Sequence, residues 1–308
     1  MNNLARAILL TVAGLSCGTI SKAQLASQPN PLVLGVLEDH PGRYVGEPNF
    51  RVVRAVFYKH SNEWLSYPTS CKEKDCLKSL TSAYPQEVHW TIAFDGQEVG
   101  RVTAATPTDF QFCAGTGCQK ITSADPVPTI GKRSKEFSAW DSDIAFRPLV
   151  AVSQANVLDP DHWKPFTPAP ELLDKLRQQF RARFPSVSNC RNANENKLRV
   201  WNYKDKDIAV FSAYLATNSW SLVELGLQGY RCDGPNDDGG AFVGQWYVVR
   251  PDGSAEWIGS DMWLVDAGDY DKDGESEVLF SIAGYNRGGY RLFYRHFTRK
   301  AEFSFSYH

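Results

Sequence analysis

Apolar residues recur at every second position along most of this chain, and that period restricts it to a fold built of half-buried strands. Val88, Trp90, Ile92 and Phe94 line one face of a predicted strand that ends at Asp95-Gly96, and Val52, Val56 and Tyr58 repeat the pattern around Arg54. Ile208 to Leu215 and Ser221 to Leu227 form a predicted strand pair across Thr217-Asn218. Trp246 to Val249 and Ala255 to Ile258 flank Pro251-Asp252-Gly253, a hairpin signal. Val278 to Ala283 is apolar on both alternating faces, as a strand covered on both sides would be. Tyr290 to His296 is mixed, and Ala301, Phe303, Phe305 and Tyr307 alternate with Glu302, Ser304 and Ser306. That gradient predicts a meander running from an interior strand to an exposed one, as in a propeller blade. The expected class is all-β, a propeller-like or multi-sheet antiparallel meander with one inserted amphipathic helix.

The helix is expected after a Pro-rich stretch. Thr167 is the predicted cap, Pro168 suits the first turn and Pro185 stops it. Leu172, Leu176, Phe180 and Phe184 recur every four residues, while Lys175, Arg177, Arg181 and Arg183 form a solvated face weighted toward the C-terminal end, where the helix dipole favours cations. Asp159 to Pro170 carries Pro160, Pro165, Pro168 and Pro170 and is the expected boundary. It separates an N-terminal β region (24–158) from the linker and helix (159–185) and a C-terminal β region (186–308).

The first residues predict export. Arg6 supplies a positive start, Ala7 to Leu15 a short apolar core, and Ser21-Lys22-Ala23 the small residues of a cleavage point before Gln24, so 1–23 is the expected signal peptide. Cys17 offers an alternative as a lipidation site, but a lipobox places Leu three residues earlier, where Gly14 stands. No later run approaches the roughly 18 apolar residues of a membrane span. The chain carries 33 basic and 35 acidic residues for a net charge of −2, and removal of the signal takes Arg6 and Lys22 but no acid. That near-neutral balance implies no basic face for nucleic acid or an anionic membrane. Six cysteines remain after the signal, an even number that in an exported chain favours disulfides. Neighbouring spacing suggests Cys71–Cys76, Cys113–Cys118 and Cys190–Cys232. A zinc site is the rival, yet Cys-x4-Cys is a loose spacing and no histidine adjoins either pair.

One segment carries distinctive chemistry. Asp269-Tyr270-Asp271-Lys272-Asp273-Gly274-Glu275-Ser276-Glu277 places carboxylates at positions 1, 3, 5 and 9 with glycine at 6. Alternating acids in a tight loop turn oxygens inward, which suits calcium, a hard cation taking about six to eight oxygen ligands. The expected ligands are the carboxylates of Asp269, Asp271, Asp273 and Glu277 and the carbonyl of Glu275, around a structural calcium. An EF-hand needs a bidentate Glu at position 12 followed by a helix. Position 12 here is Phe280, inside a strand pattern. A loop that ends its acids at position 9 and feeds Val278-Leu279-Phe280 resembles instead the FG-GAP repeat of integrin α-chain propellers and related bacterial exported proteins. The matching residues are Asp269, Asp271, Asp273, Gly274 and Glu277, with Glu where the family usually has Asp, and without the Phe-Gly and Gly-Ala-Pro signatures. The resemblance covers Leu264 to His308. It implies a loop that joins the first two strands of a blade and is stiffened by calcium.

Other signals are weaker. Asp233 to Gly240 is a second acidic stretch whose spacing fits no calcium motif; it reads as an exposed loop or the rim of a ligand mouth. Gly14-Leu15-Ser16-Cys17-Gly18 matches a nucleophile elbow only inside the signal. The six histidines are scattered, and no phosphate loop or dinucleotide fingerprint is present. Nine tryptophans raise the prospect of sugar stacking, although Trp90 and Trp246 sit in strand patterns that place them in the core. The function expected is an exported, periplasmic or extracellular, calcium-stabilised binding or scaffold module with a protein or glycan ligand. The alternative is an exported hydrolase with its site at the mouth of the β fold. Mass spectrometry of the exported protein is expected to find an N-terminus at Gln24, and thiol titration under denaturing conditions to find none of the six cysteines free; acylated Cys17 or free thiols would overturn these assignments.

Overall fold

A computed structural model describes residues 31–40, 50–69, 87–105, 118–124, 126–128, 148–154, 157–190, 197–229, 239–284 and 286–306. The predicted signal with Cys17, the cysteines Cys71, Cys76, Cys113 and Cys232, and the acidic stretch 233–238 lie outside the described residues. Cys118 and Cys190 are both in disulfide form; the pairing lies outside the described residues with the other four.

The described residues fold as antiparallel sheets with one α-helix, as the alternation requires. The first sheet holds β1 (Val33–His40), β2 (Phe50–His60), β3 (Glu63–Ser66), β4 (Glu87–Phe94), β5 (Gln97–Ala105), β6 (Cys118–Lys120) and β7 (Leu149–Val152). Its order is β3-β2-β1-β7-β4-β5, with β6 also on β2. The short β7 reads Leu-Val-Ala-Val and is buried throughout, so it can sit between β1 and β4 with both faces covered. After it come β8 (Lys164–Pro165), α1 (Pro170–Arg183), the hairpin β9 (Val187–Asn189) and β10 (Arg199–Trp201), then β11 (Ile208–Leu215), β12 (Ser221–Leu227), β13 (Gln245–Val249) and β14 (Ala255–Ser260). A second large sheet has the order β14-β13-β12-β11-β8. The chain then runs through β15 (Met262–Gly268), β16 (Glu277–Gly284), β17 (Arg287–Tyr294) and β18 (Arg299–Ser306), a four-stranded meander in sequence order.

These pieces stack in layers. Leu176 and Phe180 of α1 bury against Val223, Leu225, Tyr247 and Val249 on one face of the five-stranded sheet. Its other face presents Leu222 and Trp246 to Val278, Phe280 and Phe293 of the meander. The meander's far face meets the seven-stranded sheet, where Leu279, Leu292 and Phe303 join Val36, Val53 and Trp90. Strand β16 therefore contributes Phe280 to one core and Leu279 to the other, which is why its sequence is apolar on both faces. No helix among the described residues is long and apolar enough to cross a membrane.

Two details depart from the alternation and capping signals. Helix α1 is capped by Ala169, with no side-chain cap, rather than by Thr167, and Pro170 rather than Pro168 occupies its first turn. With Pro170 at the start, one of the amide donors a helix leaves orphaned is simply missing, so a hydroxyl cap has less to satisfy. Strand β2 is buried on both faces, Arg54 included, at 1 % exposure. Its guanidinium is gripped by Glu38, with Nε 3.0 Å from Oε1 and Nη2 2.9 Å from Oε2, and lies 4.5 Å from the Phe305 ring centroid. The Tyr290 hydroxyl donates to the same carboxylate at 2.5 Å, so this buried charge pair ties the first sheet to the meander.

Another buried acid is less well compensated. Glu224 on β12 is 7 % exposed, and a Cβ at Gly244 would stand 1.8 Å from its Oε1, so only glycine leaves room for it. Burial pushes its carboxyl up from 4.5 to about 7, against the pull of a hydrogen bond from Ser212. The folded state thus holds this proton to higher pH than the unfolded chain. The contribution to stability is fully present below the unfolded value and is lost as pH rises through about 7. Urea denaturation across that window is expected to show a fall of up to about 3 kcal/mol from this group, and Glu224→Gln to remove it; an unchanged pH profile in the variant would assign the fall elsewhere.

Candidate metal centre

The connection between β15 and β16 is the acidic segment, and its own side chains shape it. Asp269 Oδ1 accepts the Asp273 N–H at 3.0 Å and its Oδ2 accepts the Gly274 N–H at 3.0 Å. Asp271 Oδ1 accepts the Asp273 N–H at 3.2 Å, and Asp273 Oδ1 accepts the Glu275 N–H at 2.9 Å. Each aspartate caps a turn a few residues on, which curls the chain about the carboxylates. Lys272 and Gly274 take left-handed φ of 62° and 91°. A Cβ at Gly274 would meet nothing within 4 Å, so the glycine serves conformation rather than space.

The result brings Asp269, Asp271 and Asp273 together, with one oxygen of each within 4.8 Å of the others. Burial, and then the charges of Asp271 and Asp273, push the Asp269 carboxyl up despite its two amide donors. Such crowding of hard oxygens suits a hard divalent cation, and the three aspartates are the residues that would hold it.

The other two expected ligand residues are Glu277 and Glu275. Glu277 is 2 % exposed beneath the loop, its Oε2 accepting the Tyr270 N–H at 2.7 Å and its Oε1 lying 3.4 Å from Trp64 Nε1. Burial first, then Asp271, raises its carboxyl well above the usual range. The side chain of Glu275, whose carbonyl is the expected ligand, has Oε2 3.2 Å from His296 Nδ1. That histidine belongs to the β17–β18 turn, where Arg295, His296 and Phe297 all take left-handed φ and His296 stacks on Trp220 at 5.4 Å.

Spacing alone did not reveal what surrounds the loop. Lys59, at the end of β2, pairs with Asp271 across 212 residues of sequence. Tyr270 is wholly buried, its hydroxyl pushed well above its ordinary value by burial and by Asp266, Glu277 and Asp159. The segment 158–163, at the start of the expected boundary Asp159 to Pro170, is bonded to several neighbouring elements. Asp269 N–H donates to the Leu158 carbonyl at 2.8 Å, Ser276 Oγ to Asp159 Oδ1 at 2.6 Å and Ser276 N–H to Asp161 Oδ2 at 3.3 Å. Asp159 N–H donates to the Gly96 carbonyl at 3.1 Å, and Asn218 Nδ2 to Asp161 Oδ1 at 2.7 Å. The Pro-rich composition marked this stretch as irregular; its aspartates were the unread signal that it is anchored. Between it and the β4–β5 turn opens a cleft of about 740 Å³, lined by Asp95, Gln97, Leu158, Asp159, His162 and Lys164 among others.

No family model, no curated protein and no solved structure matches this chain. Ser276 is the side chain that latches the loop to the cleft wall, so Ser276→Ala is expected to cost about 1.5–3 kcal/mol, as loss of a hydrogen bond to a charged group does; chemical denaturation measures it, and a loss under about 0.5 kcal/mol, the range of a bland surface change, would mean the latch bears no weight.

Proposed function

We propose that this chain is an exported, calcium-stabilised β binding module that engages a protein or glycan ligand at the cleft beside its acidic loop. The observation that carries this reading is the convergence of the three aspartates on a loop whose far side is bonded to the cleft wall at Leu158, Asp159 and Asp161. Calcium there would neutralise the carboxylates and hold the loop, and through it the wall, in one shape. The FG-GAP resemblance adds support: the acidic loop joins the first two strands of a four-stranded antiparallel meander, the placement that resemblance implies. The role of the ion in this reading is structural.

The alternative, an exported hydrolase, has less behind it. Asp95 and Asp159 both line the cleft, but Asp159 is committed to the Asp161 N–H, the Trp163 N–H and the Ser276 hydroxyl. Its oxygens are already spent on fixing the turn, which disfavours a general-acid or general-base role.

A cation that binds only the folded state adds about 2.7 kcal/mol at a hundredfold excess over Kd, a few degrees in Tm for a chain of this size. Millimolar calcium is expected to raise the midpoint by that amount, with chelator reversing it and magnesium replacing it poorly. Asp271→Ala or Asp273→Ala should abolish the response, whereas Asp237→Ala in the second acidic stretch should preserve it. Screening a glycan and peptide array with calcium and with chelator then identifies the ligand. A wild-type midpoint indifferent to calcium, together with no heat of binding, would refute the ion.

A further inference from the structure

The acidic loop has a cationic neighbour of its own. Lys59 Nζ pairs with Asp271 Oδ2, and both side chains are sheltered, at 16 % and 4 % exposure. The lysine is delivered there rather than left to wander. Its N–H donates to the Leu32 carbonyl at 2.8 Å, and it lies opposite Trp64 in the β2–β3 register. Its ammonium stands 5.1 Å from the Trp64 ring centroid and 5.7 Å from that of Tyr294, a seat between two aromatic faces that favours a cation. Lys272, the loop's own lysine, is exposed.

We propose that Lys59 is the resident counter-ion of the acidic loop and competes with calcium for Asp271, so that this one residue of the first sheet sets the affinity of the site. The inference rests on the calcium reading above. A divalent ion held by Asp269, Asp271 and Asp273 would share the Asp271 carboxylate with the ammonium. Because that carboxylate is almost shut off from water, the repulsion between the two cations is poorly screened. Glu63, which already accepts the Tyr294 hydroxyl at 2.6 Å and has Arg295 at 3.5 Å and Arg299 at 3.9 Å, is the other carboxylate whose charge Lys59 feels. Occupation by the ion then loosens the Lys59–Asp271 tether between β2 and the loop. Without the ion, the lysine supplies the charge the loop lacks.

The test compares the mature wild-type chain with Lys59→Met, which keeps the packed stem, and Lys59→Arg, which keeps the charge. Calcium affinity is measured by titration calorimetry, and separately by terbium emission sensitised through the neighbouring Trp64. Lys59→Met is expected to bind calcium about tenfold more tightly or better, and Lys59→Arg within about threefold of wild type. In chelator, Lys59→Met is expected to melt below wild type, and saturating calcium to close that gap. Equal or weaker calcium affinity in Lys59→Met, with wild type binding normally, overturns the competition and leaves the calcium reading standing. An unaltered midpoint in chelator overturns the counter-ion role whatever the ion does. If neither wild type nor Lys59→Met takes up calcium or terbium, the calcium reading falls and the competition with it.

Discussion

Carboxylates have been drawn into the junction where three sheets meet, and each needs a partner there, because an ionised group leaves water only at a cost of several kcal/mol unless donors or a counter-charge replace the water. Asp161 and Glu277 are almost completely buried, and Asp266 is at 1 % exposure. Their partners come from far along the chain. Asp266 Oδ1 lies 3.3 Å from the Gly96 N–H of the first sheet, Asp161 takes donors from the β11–β12 turn and from the loop, and Asp271 takes Lys59. An apolar contact tolerates sliding, whereas a hydrogen bond to a buried charge fixes distance and direction. The Arg54–Glu38–Tyr290 group does the same at another place on the first sheet's contact with the meander. The apolar layers supply most of the driving force, and these polar contacts set the register of one layer on the next.

The local part of this design was legible in the residues. Hairpins announced themselves through Asp95-Gly96 and Pro251-Asp252-Gly253, and a strand apolar on both faces, Val278 to Ala283, does contribute to two cores. The three expected aspartates, Asp269, Asp271 and Asp273, do lie together, because i, i+2 and i+4 spacing in a turn is a local property. What was illegible is long-range. Nothing in Leu149 to Val152 says that it belongs between β1 and β4, and nothing near Lys59 points to Asp271. Arg54 is instructive: it shares the phase of Val52, Val56 and Tyr58, and what lets a charge sit on that apolar face is Glu38 on the neighbouring strand β1, which the local pattern does not announce.

Glu277 shows why the ninth position was harder to place than the first five. The longer side chain of glutamate reaches below the loop, where an amide and an indole stand ready for it, and the same reach takes it into the core that Tyr270 occupies. Asp at this position would be too short to satisfy both donors.

The Tyr290–Glu38 bond joins residues 252 apart, and the core that Val36 begins is closed by Phe303. During synthesis at about 5–20 residues per second, β1 and β2 emerge many seconds before the strands that complete their core. An early fragment lacks the face that Leu279, Leu292 and Phe303 supply, so part of the first sheet's apolar surface stays exposed, and loop-closure entropy makes the final ordering slow. This topology delays the final ordering until the last strands are present, at the risk that its apolar strands meet those of another chain first.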